Sequence, residues 1–140
     1  MNFKCVDNYK QLYNLWQDHG IPVDQPGSLH EKGYEEYFNT HSNNYIGCYI
    51  NGELIASCVL FNDERKIGIY RLCVQRSYRK KGIAKKLLEY CEKLMLDQGI
   101  NTVYALIKTD NKESIGLFAK CGFSIYPNIQ YHVKKISAIE

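Results

Sequence analysis

The most unusual stretch of this sequence is a run of basic residues in the middle of the chain. Residues 76–86 read RSYRKKGIAKK and contain six Lys or Arg residues and no Asp or Glu. Gly82 lies inside this run, where the sequence changes to the spacing of an amphipathic helix. The first N–H groups of a helix have no backbone partner, and the helix dipole favours an anion there. The run therefore predicts a binding site for a diphosphate.

The net positive charge of the chain comes from this run. The whole chain carries 18 basic and 15 acidic residues, and without the six in the run 12 basic residues remain against the 15 acidic ones. A solvated turn without a ligand is the alternative interpretation, but cationic residues at a helix start oppose the dipole unless an anion binds. The spacing matches neither a P-loop nor a dinucleotide-binding glycine motif. We therefore expect one focused anion site.

The other residue types that carry chemistry form no recognisable site. None of the six cysteines has Cys-x-x-Cys spacing, and the four histidines lack the spacing of metal ligands. We predict no metal site and a reducing compartment. With 140 residues, 45% of them hydrophobic, the chain is expected to form one domain over residues 1–140. It has no apolar run long enough to span a bilayer and no signal sequence, so we predict a cytoplasmic protein that binds no membrane.

Upstream of the basic run, the pattern predicts a strand over residues 2–6 and then a helix. Asp7 is a candidate N-cap of that helix, and Gly20 ends it. A proline-containing loop follows, and the spacing of Ser28 and Glu31 predicts a capping box before an aromatic-rich helix.

The clearest local signal is a hairpin. The segment YIGCYINGELIASCVLF contains two β-rich runs joined by Asn51-Gly52, which suits a type I′ turn. The run KIGIYRLCV then predicts a long strand, in which the apolar phase changes. A β-bulge near residue 69 or 70 would explain that change, and bulges often lie next to active sites.

Downstream of Gly82 the period is helical as far as Gly99. The segment NTVYALIKT is apolar on both faces and predicts a central strand. A short helix follows in residues 110–122, and residues 124–136 predict one or two final strands interrupted at Pro127.

Two motifs in this order resemble the GNAT superfamily of N-acetyltransferases. RKKGIA at residues 79–84 matches the family signature R/Q-x-x-G-x-G/A, preceded by a strand that ends in LCV. NKESIGLFAKCGF at residues 111–123 resembles the second family motif. The resemblance implies an α/β (α+β) fold with a mixed, mostly antiparallel sheet of six or seven strands, flanked by about four helices. Splayed central strands would form the acetyl-CoA cleft.

The resemblance further implies acetyl-CoA as the cofactor and a primary amine of a small molecule or peptide as the acceptor. The backbone of the long strand would bind the pantetheine arm, the basic turn would hold the diphosphate, and the second motif would line the thiol end. The residues so implicated are Leu72, Cys73, Val74, Arg79, Lys80, Lys81, Gly82, Ile83, Ala84, Lys85, Asn111, Ser114 and Phe118. A monomer or a homodimer is expected.

In the family, the neutral amine attacks the thioester directly, and a backbone N–H stabilises the oxyanion by about 3 kcal/mol. The resemblance places this donor at Cys73 or Val74. The Cys73 thiol is expected to be a packing group, because the sequence provides no base beside it.

Two departures from the family pattern concern proton transfer. Many members have Tyr, which protonates the leaving thiolate, where this chain has Phe118. Tyr126 and Tyr131 are alternative proton donors, although the alternation of Tyr131 with its neighbours favours a core position.

The long strand often carries an acidic residue where this chain has Tyr70 and Arg71, so the sequence identifies no general base. If Arg71 faces the site, its guanidinium suits an acceptor with a carboxylate. If Tyr70 does, the site is neutral and Arg71 pairs elsewhere. Both alternatives disfavour polyamines and aminoglycosides, and we expect a small amine with a carboxylate or a peptide end.

Two other functions are compatible with parts of this sequence. An inactive member of the same fold would bind CoA as a sensor. A nucleic-acid-binding domain would use the basic turn, but it would need a basic stripe extending onto other elements, and the rest of this chain is net acidic. We therefore expect no nucleic-acid partner.

Overall fold

The structure is a computed structural model that describes residues 1–23 and 33–136. Its strands are β1 (Asn2–Cys5), β2 (Tyr45–Ile50), β3 (Glu53–Asn62), β4 (Ile67–Val74) and β5 (Val103–Ala105). Its α-helices are α1 (Tyr9–Asp18), α2 (Gly33–Thr40), α3 (Ile83–Asp97) and α4 (Lys112–Lys120). Short 3₁₀ turns occur at Ser42–Asn44 and Arg76–Tyr78. The predicted capping box of Ser28 and Glu31 lies outside the described residues.

The five strands form one sheet in chain order. Each neighbouring pair is antiparallel except β4 and β5, which run parallel. A parallel pair needs a long crossover connection, which α3 provides here. The predicted α/β class with a mixed, mostly antiparallel sheet is confirmed.

The prediction of six or seven strands was wrong for the described part of the chain. Residues 124–136 form no strand, and the side chains of Ile125 and Tyr131 are 81% and 75% exposed. The segment NTVYALIKT also contributes only the three residues of β5, at the edge of the sheet. An alternating pattern becomes a strand only beside a free edge of sufficient length, and Pro127 offers no N–H donor.

The two faces of the sheet bury separate apolar clusters. One cluster lies under α3 and α4 and includes Leu87 and Cys91, both fully buried. The other lies under α1 and α2 and is built around Leu12 and Trp16. Burial of one leucine side chain contributes about 1.5–3 kcal/mol to stability. These clusters therefore hold the helices against the sheet.

The local signals around α1 and the hairpin are mostly borne out. Asn51 and Gly52 both have positive φ, 51° and 79°, as a type I′ turn requires. The N-cap of α1, however, is Asn8, whose Oδ1 accepts a hydrogen bond from the N–H of Lys10 at 2.9 Å. Asp7, the predicted cap, instead forms an ion pair with Lys4 at 3.3 Å.

Candidate active site

A cleft opens between β4 and β5. The two strands pair from Ile67–Val103 to Ile69–Ala105, where β5 ends. β4 continues to Val74, so residues 70–74 face no strand on that side among the described residues. This opening, called the β4–β5 cleft below, lies between β4 and the edge strand β5, whereas a separation of two central strands was predicted.

A β-bulge in β4 lies next to the cleft. The register with β3 pairs Val59 with Tyr70 and Ser57 with Cys73, so β4 has one extra residue in between. Arg71 has a φ of 53°, an uncommon value for a residue with a side chain. The bulge therefore lies one or two residues after the predicted position, because a change of phase shows that a residue is inserted but not which one.

The hydrogen bonds of β4 determine which backbone groups face the cleft. The N–H of Gln75 donates to the carbonyl of Ile55 on β3 at 2.7 Å. Backbone groups of successive residues alternate sides along a strand, so those of Cys73 face β3 and those of Val74 face the cleft. In agreement, Nε of Arg79 donates to the carbonyl oxygen of Val74 at 2.9 Å.

The side chain of Arg71 turns toward α1. Its guanidinium carbon lies 4.3 Å from the centre of the Trp16 ring, and its Nη2 donates to the carbonyl oxygen of Pro22. These contacts favour the alternative in which Arg71 pairs elsewhere. Tyr70 is half-buried, and its ring packs against those of Phe61 and Tyr104.

The basic turn connects β4 to α3. Gly82 has a φ of 78°, and no atom lies within 4 Å of the place where a Cβ would stand. α3 begins at the next residue with no capping side chain and no acidic residue in its first turn. Its first N–H groups are therefore available to an anion. The side chains of Arg79, Lys80, Lys81 and Lys85 are exposed around this point.

His19 anchors the start of the turn to α1, a role that the sequence did not reveal. Its Nε2 accepts a hydrogen bond from the N–H of Arg76 at 2.9 Å, and its Nδ1 lies 2.9 Å from the carbonyl oxygen of Leu15. Since the Arg76 N–H only donates, Nε2 is the acceptor in this contact, and Nδ1 is the ring nitrogen that can donate to the Leu15 carbonyl. The contact joins residues 57 positions apart, which no local pattern signals.

The second motif forms α4, whose Phe118 belongs to the same buried cluster as Leu87 of α3. The Oδ1 of Asn111 accepts from the N–H of Ser114 at 3.1 Å and caps the helix. This leaves Nδ2 of Asn111 to donate to a ligand. Phe118 is 5% exposed and stacks edge-on against Phe123, with ring centres 4.8 Å apart.

The thiol of Cys73 is a buried packing group. Burial raises the pKa of Cys73 to about 11, against a smaller lowering effect of Arg79. Its cross-strand neighbour is Ser57, which is not a base at neutral pH. A thiol with such a pKa is almost entirely protonated at neutral pH and is a poor nucleophile.

The described residues, 1–23 and 33–136, form no metal-binding cluster and no membrane-spanning helix. Within these ranges, no three His, Cys, Asp or Glu side chains come together in a way that would hold a metal ion. No helix there is both long and apolar enough to cross a membrane.

Comparison with known proteins identifies the family. Residues 9–123 match the acetyltransferase (GNAT) family. An acetyltransferase of Pectobacterium atrosepticum is 25% identical over 114 residues, which cover 81% of this chain and 79% of the relative.

Solved structures show the same fold. Ard1 of Thermoplasma volcanium matches with a TM-score of 0.75 and 16% identity, over 89% of this chain and 83% of that one. The aminoglycoside antibiotic 6'-N-acetyltransferase of Acinetobacter haemolyticus matches with a TM-score of 0.71 and 16% identity, over 98% and 100% of the two chains. The match of residues 9–123 places the chain in the acetyltransferase (GNAT) family, that of the N-acetyltransferases.

Proposed function

We propose that this protein transfers the acetyl group of acetyl-CoA to a primary amine of a small molecule or peptide by direct attack of the amine. The observation that carries this proposal is the arrangement of β4 and α3. A stretch of β4 that is paired only with β3 leads through the basic turn to the uncapped start of α3 at Gly82.

The residues of the cleft fit an extended ligand with a diphosphate at one end. The free backbone side of residues 72–74 suits an amide-containing arm, which would add to β4 as a short strand. The N–H groups at the start of α3 and the basic side chains around them would hold the diphosphate. A Cβ at position 82 would project into the space that the diphosphate needs.

When bound, acetyl-CoA supplies an activated acetyl group as a thioester. Of the two backbone donors implied by the family resemblance, Cys73 and Val74, the direction of the N–H groups favours Val74 as the donor to the thioester oxygen. Arg79, now bonded to the Val74 carbonyl, would close the end of the cleft nearest the turn. The pKa of the Cys73 thiol excludes an easy route through an acetylated Cys73.

The acceptor is proposed from the same surface. Because Arg71 is engaged by Trp16 and Pro22, the neutral Tyr70 is the better candidate to face the acceptor. This favours a peptide end over a free carboxylate and disfavours polyamines. The likeness to an aminoglycoside enzyme at 16% identity concerns the fold alone.

An inactive CoA-binding protein of the same fold is the second candidate. It is favoured by Phe118, which lacks the hydroxyl that the family pattern leads one to expect. A CoA thiolate is a fair leaving group that water can protonate, so this change does not by itself prevent turnover.

The experiment that tests the proposal combines calorimetric titration with CoA and a mass-spectrometric screen for acetylated products. The screen offers acetyl-CoA and amines of several classes, namely amino acids, polyamines, aminoglycosides and peptide N-termini. We expect CoA binding and one acetylated class. CoA binding without any acetylated product would favour the inactive member, and absence of CoA binding would refute both.

A further inference from the structure

Two tyrosines meet where β4 and β5 separate. The rings of Tyr70 and Tyr104 stand at 89° to each other, with centres 6.3 Å apart. Phe61 packs edge-on against Tyr70, with ring centres 4.7 Å apart. The entrance to the β4–β5 cleft is therefore formed by aromatic rings and one pair of hydroxyls.

Gly68 makes this pair possible. A Cβ on Gly68 would stand 2.6 Å from Cε1 of Tyr70, 2.6 Å from Cζ of Tyr104 and 2.7 Å from its hydroxyl oxygen. Such distances are shorter than real contacts, so any other residue would displace the tyrosines. Gly68 pairs with Tyr104 one position before Ile69–Ala105, the last pair of β4 and β5, which places the two tyrosines next to the start of the cleft.

The hydroxyl of Tyr70 is neutral at physiological pH. Burial raises the pKa of Tyr70 to about 12, and the neighbouring Tyr104 and Tyr131 act in the same direction. The groups that act on Tyr70 within the described residues are thus tyrosines and not carboxylates. The Tyr70 hydroxyl can accept a hydrogen bond from an amine, but it has no charge with which to hold an ammonium ion.

A neutral, aromatic entrance discriminates between classes of amine. Transfer of an ammonium ion from water to this entrance costs hydration free energy, and no opposite charge offsets that loss. A neutral amine has no charge to desolvate, so its transfer is less unfavourable. An α-amino group has a pKa of about 7.7–8.0, and a lysine-type amine of about 10.4. At pH 7.5 roughly a third of the α-amino groups are neutral, but only about one in a thousand of the lysine-type amines is.

We propose that the hydroxyls of Tyr70 and Tyr104 receive the acceptor nitrogen, and that they select the α-amino group of a peptide over side-chain amines. This inference rests on the proposed function. As the N–C bond forms and the C–S bond breaks, the nitrogen loses a proton, which passes through the hydroxyl pair to water. The thiolate takes its proton from solvent, so charge and atoms balance.

The test uses two mixtures of short peptides with acetyl-CoA. The peptides of the first mixture contain no lysine and have a free N-terminus. Their first position is varied over all other residue types. The other is the same mixture with a blocked N-terminus and one added lysine. At pH 7.5 we expect kcat/KM to be about 100-fold higher for the first mixture, and to rise with pH up to the pKa of the peptide α-amine, about 8.

Two variants assign the effect to the hydroxyl pair. Tyr70→Phe keeps the ring and removes the hydroxyl, and we expect it to lower kcat/KM for the α-amine peptides at least tenfold while CoA affinity stays within about threefold. Tyr90→Phe is the control, because Tyr90 is a half-buried tyrosine on α3 that stacks on Phe3 away from the cleft.

Three results would overturn the inference. They are CoA binding without acetylation of either mixture, equal or greater kcat/KM for the lysine mixture, and a Tyr70→Phe variant as active as Tyr90→Phe. Failure of the wild-type protein to bind CoA would instead refute the proposed function from which the inference starts.

Discussion

Single residues in the site show how burial decides between chemical roles. Cys73 follows directly after the bulge of β4, at a position where a thiol would suit covalent catalysis. Burial raises the pKa of Cys73 to about 11, so its thiolate forms only well above physiological pH. The residue type alone could not show this, because a cysteine in sequence carries no information about its desolvation.

Cys73 should therefore not carry the acetyl group. After incubation with acetyl-CoA and rapid quenching, we expect intact-mass analysis to show no acetyl adduct on Cys73. In the native protein, iodoacetamide should label the exposed Cys5 at least about tenfold faster than Cys73. An adduct on Cys73 that forms and decays at the rate of turnover would establish covalent catalysis and contradict direct attack.

Phe118 is the position at which a proton donor was expected and is missing. Its ring is buried beside Phe123, so a tyrosine can keep the same packing if its hydroxyl reaches the thiol end. We expect Phe118→Tyr to keep CoA affinity within about threefold and to raise kcat by about tenfold, below the usual 10²–10⁴-fold of a general acid. Steady-state kinetics over pH 6–10 would show this gain.

Phe118→Ala is the companion variant. It should cost about 3–5 kcal/mol of unfolding free energy, because it removes a buried aromatic ring. If Phe118→Tyr bound CoA normally but had no activity, the assignment of α4 to the thiol end would be wrong.

Elements were predictable where the signal is local. The hairpin followed from Asn51-Gly52, and α3 followed from a helical period between two glycines, Gly82 and Gly99. The final strands failed because residues 124–136 alternate without a long edge to pair with. The cap of α1 is Asn8 and not Asp7, because the helix begins at Tyr9 and the Asn8 side chain accepts from the N–H groups of its first turn.

The cap gives a test at the scale of one helix. Asn8→Ala removes the acceptor of the Lys10 N–H and should lower the free energy of unfolding by about 1 kcal/mol. Asn8→Asp is the matched control, because aspartate retains an acceptor oxygen and should cost at most a few tenths of a kcal/mol. Urea unfolding measures both. Equal stability of the Ala variant and the wild-type protein would show that this cap contributes nothing.

In the molecule as a whole, charge and topology converge on one point. The basic run lies at the start of α3, just after the residues of β4 that face the cleft. The rest of the chain is net acidic. The sequence was sufficient to predict the helix start at which the anion site is proposed, because residue type and spacing define a helix start. It was not sufficient to predict the contacts of Tyr104, Gly68 or His19, because these contacts depend on strand pairing and on residues far apart in the chain.

The most direct test of the central claim is the affinity for CoA of two variants of the same helix. Gly82 and Gly99 flank α3, have φ values of 78° and 77°, and both lie in open space. Gly82→Glu and Gly99→Glu therefore impose the same backbone strain and the same charge at opposite ends.

Titration calorimetry with CoA should show wild-type affinity for Gly99→Glu and a loss of at least about 100-fold for Gly82→Glu, with both variants folded by circular dichroism. The loss follows from the side chain and its negative charge, which would occupy the position of the diphosphate. Undiminished CoA affinity in a folded Gly82→Glu variant would contradict the site described here.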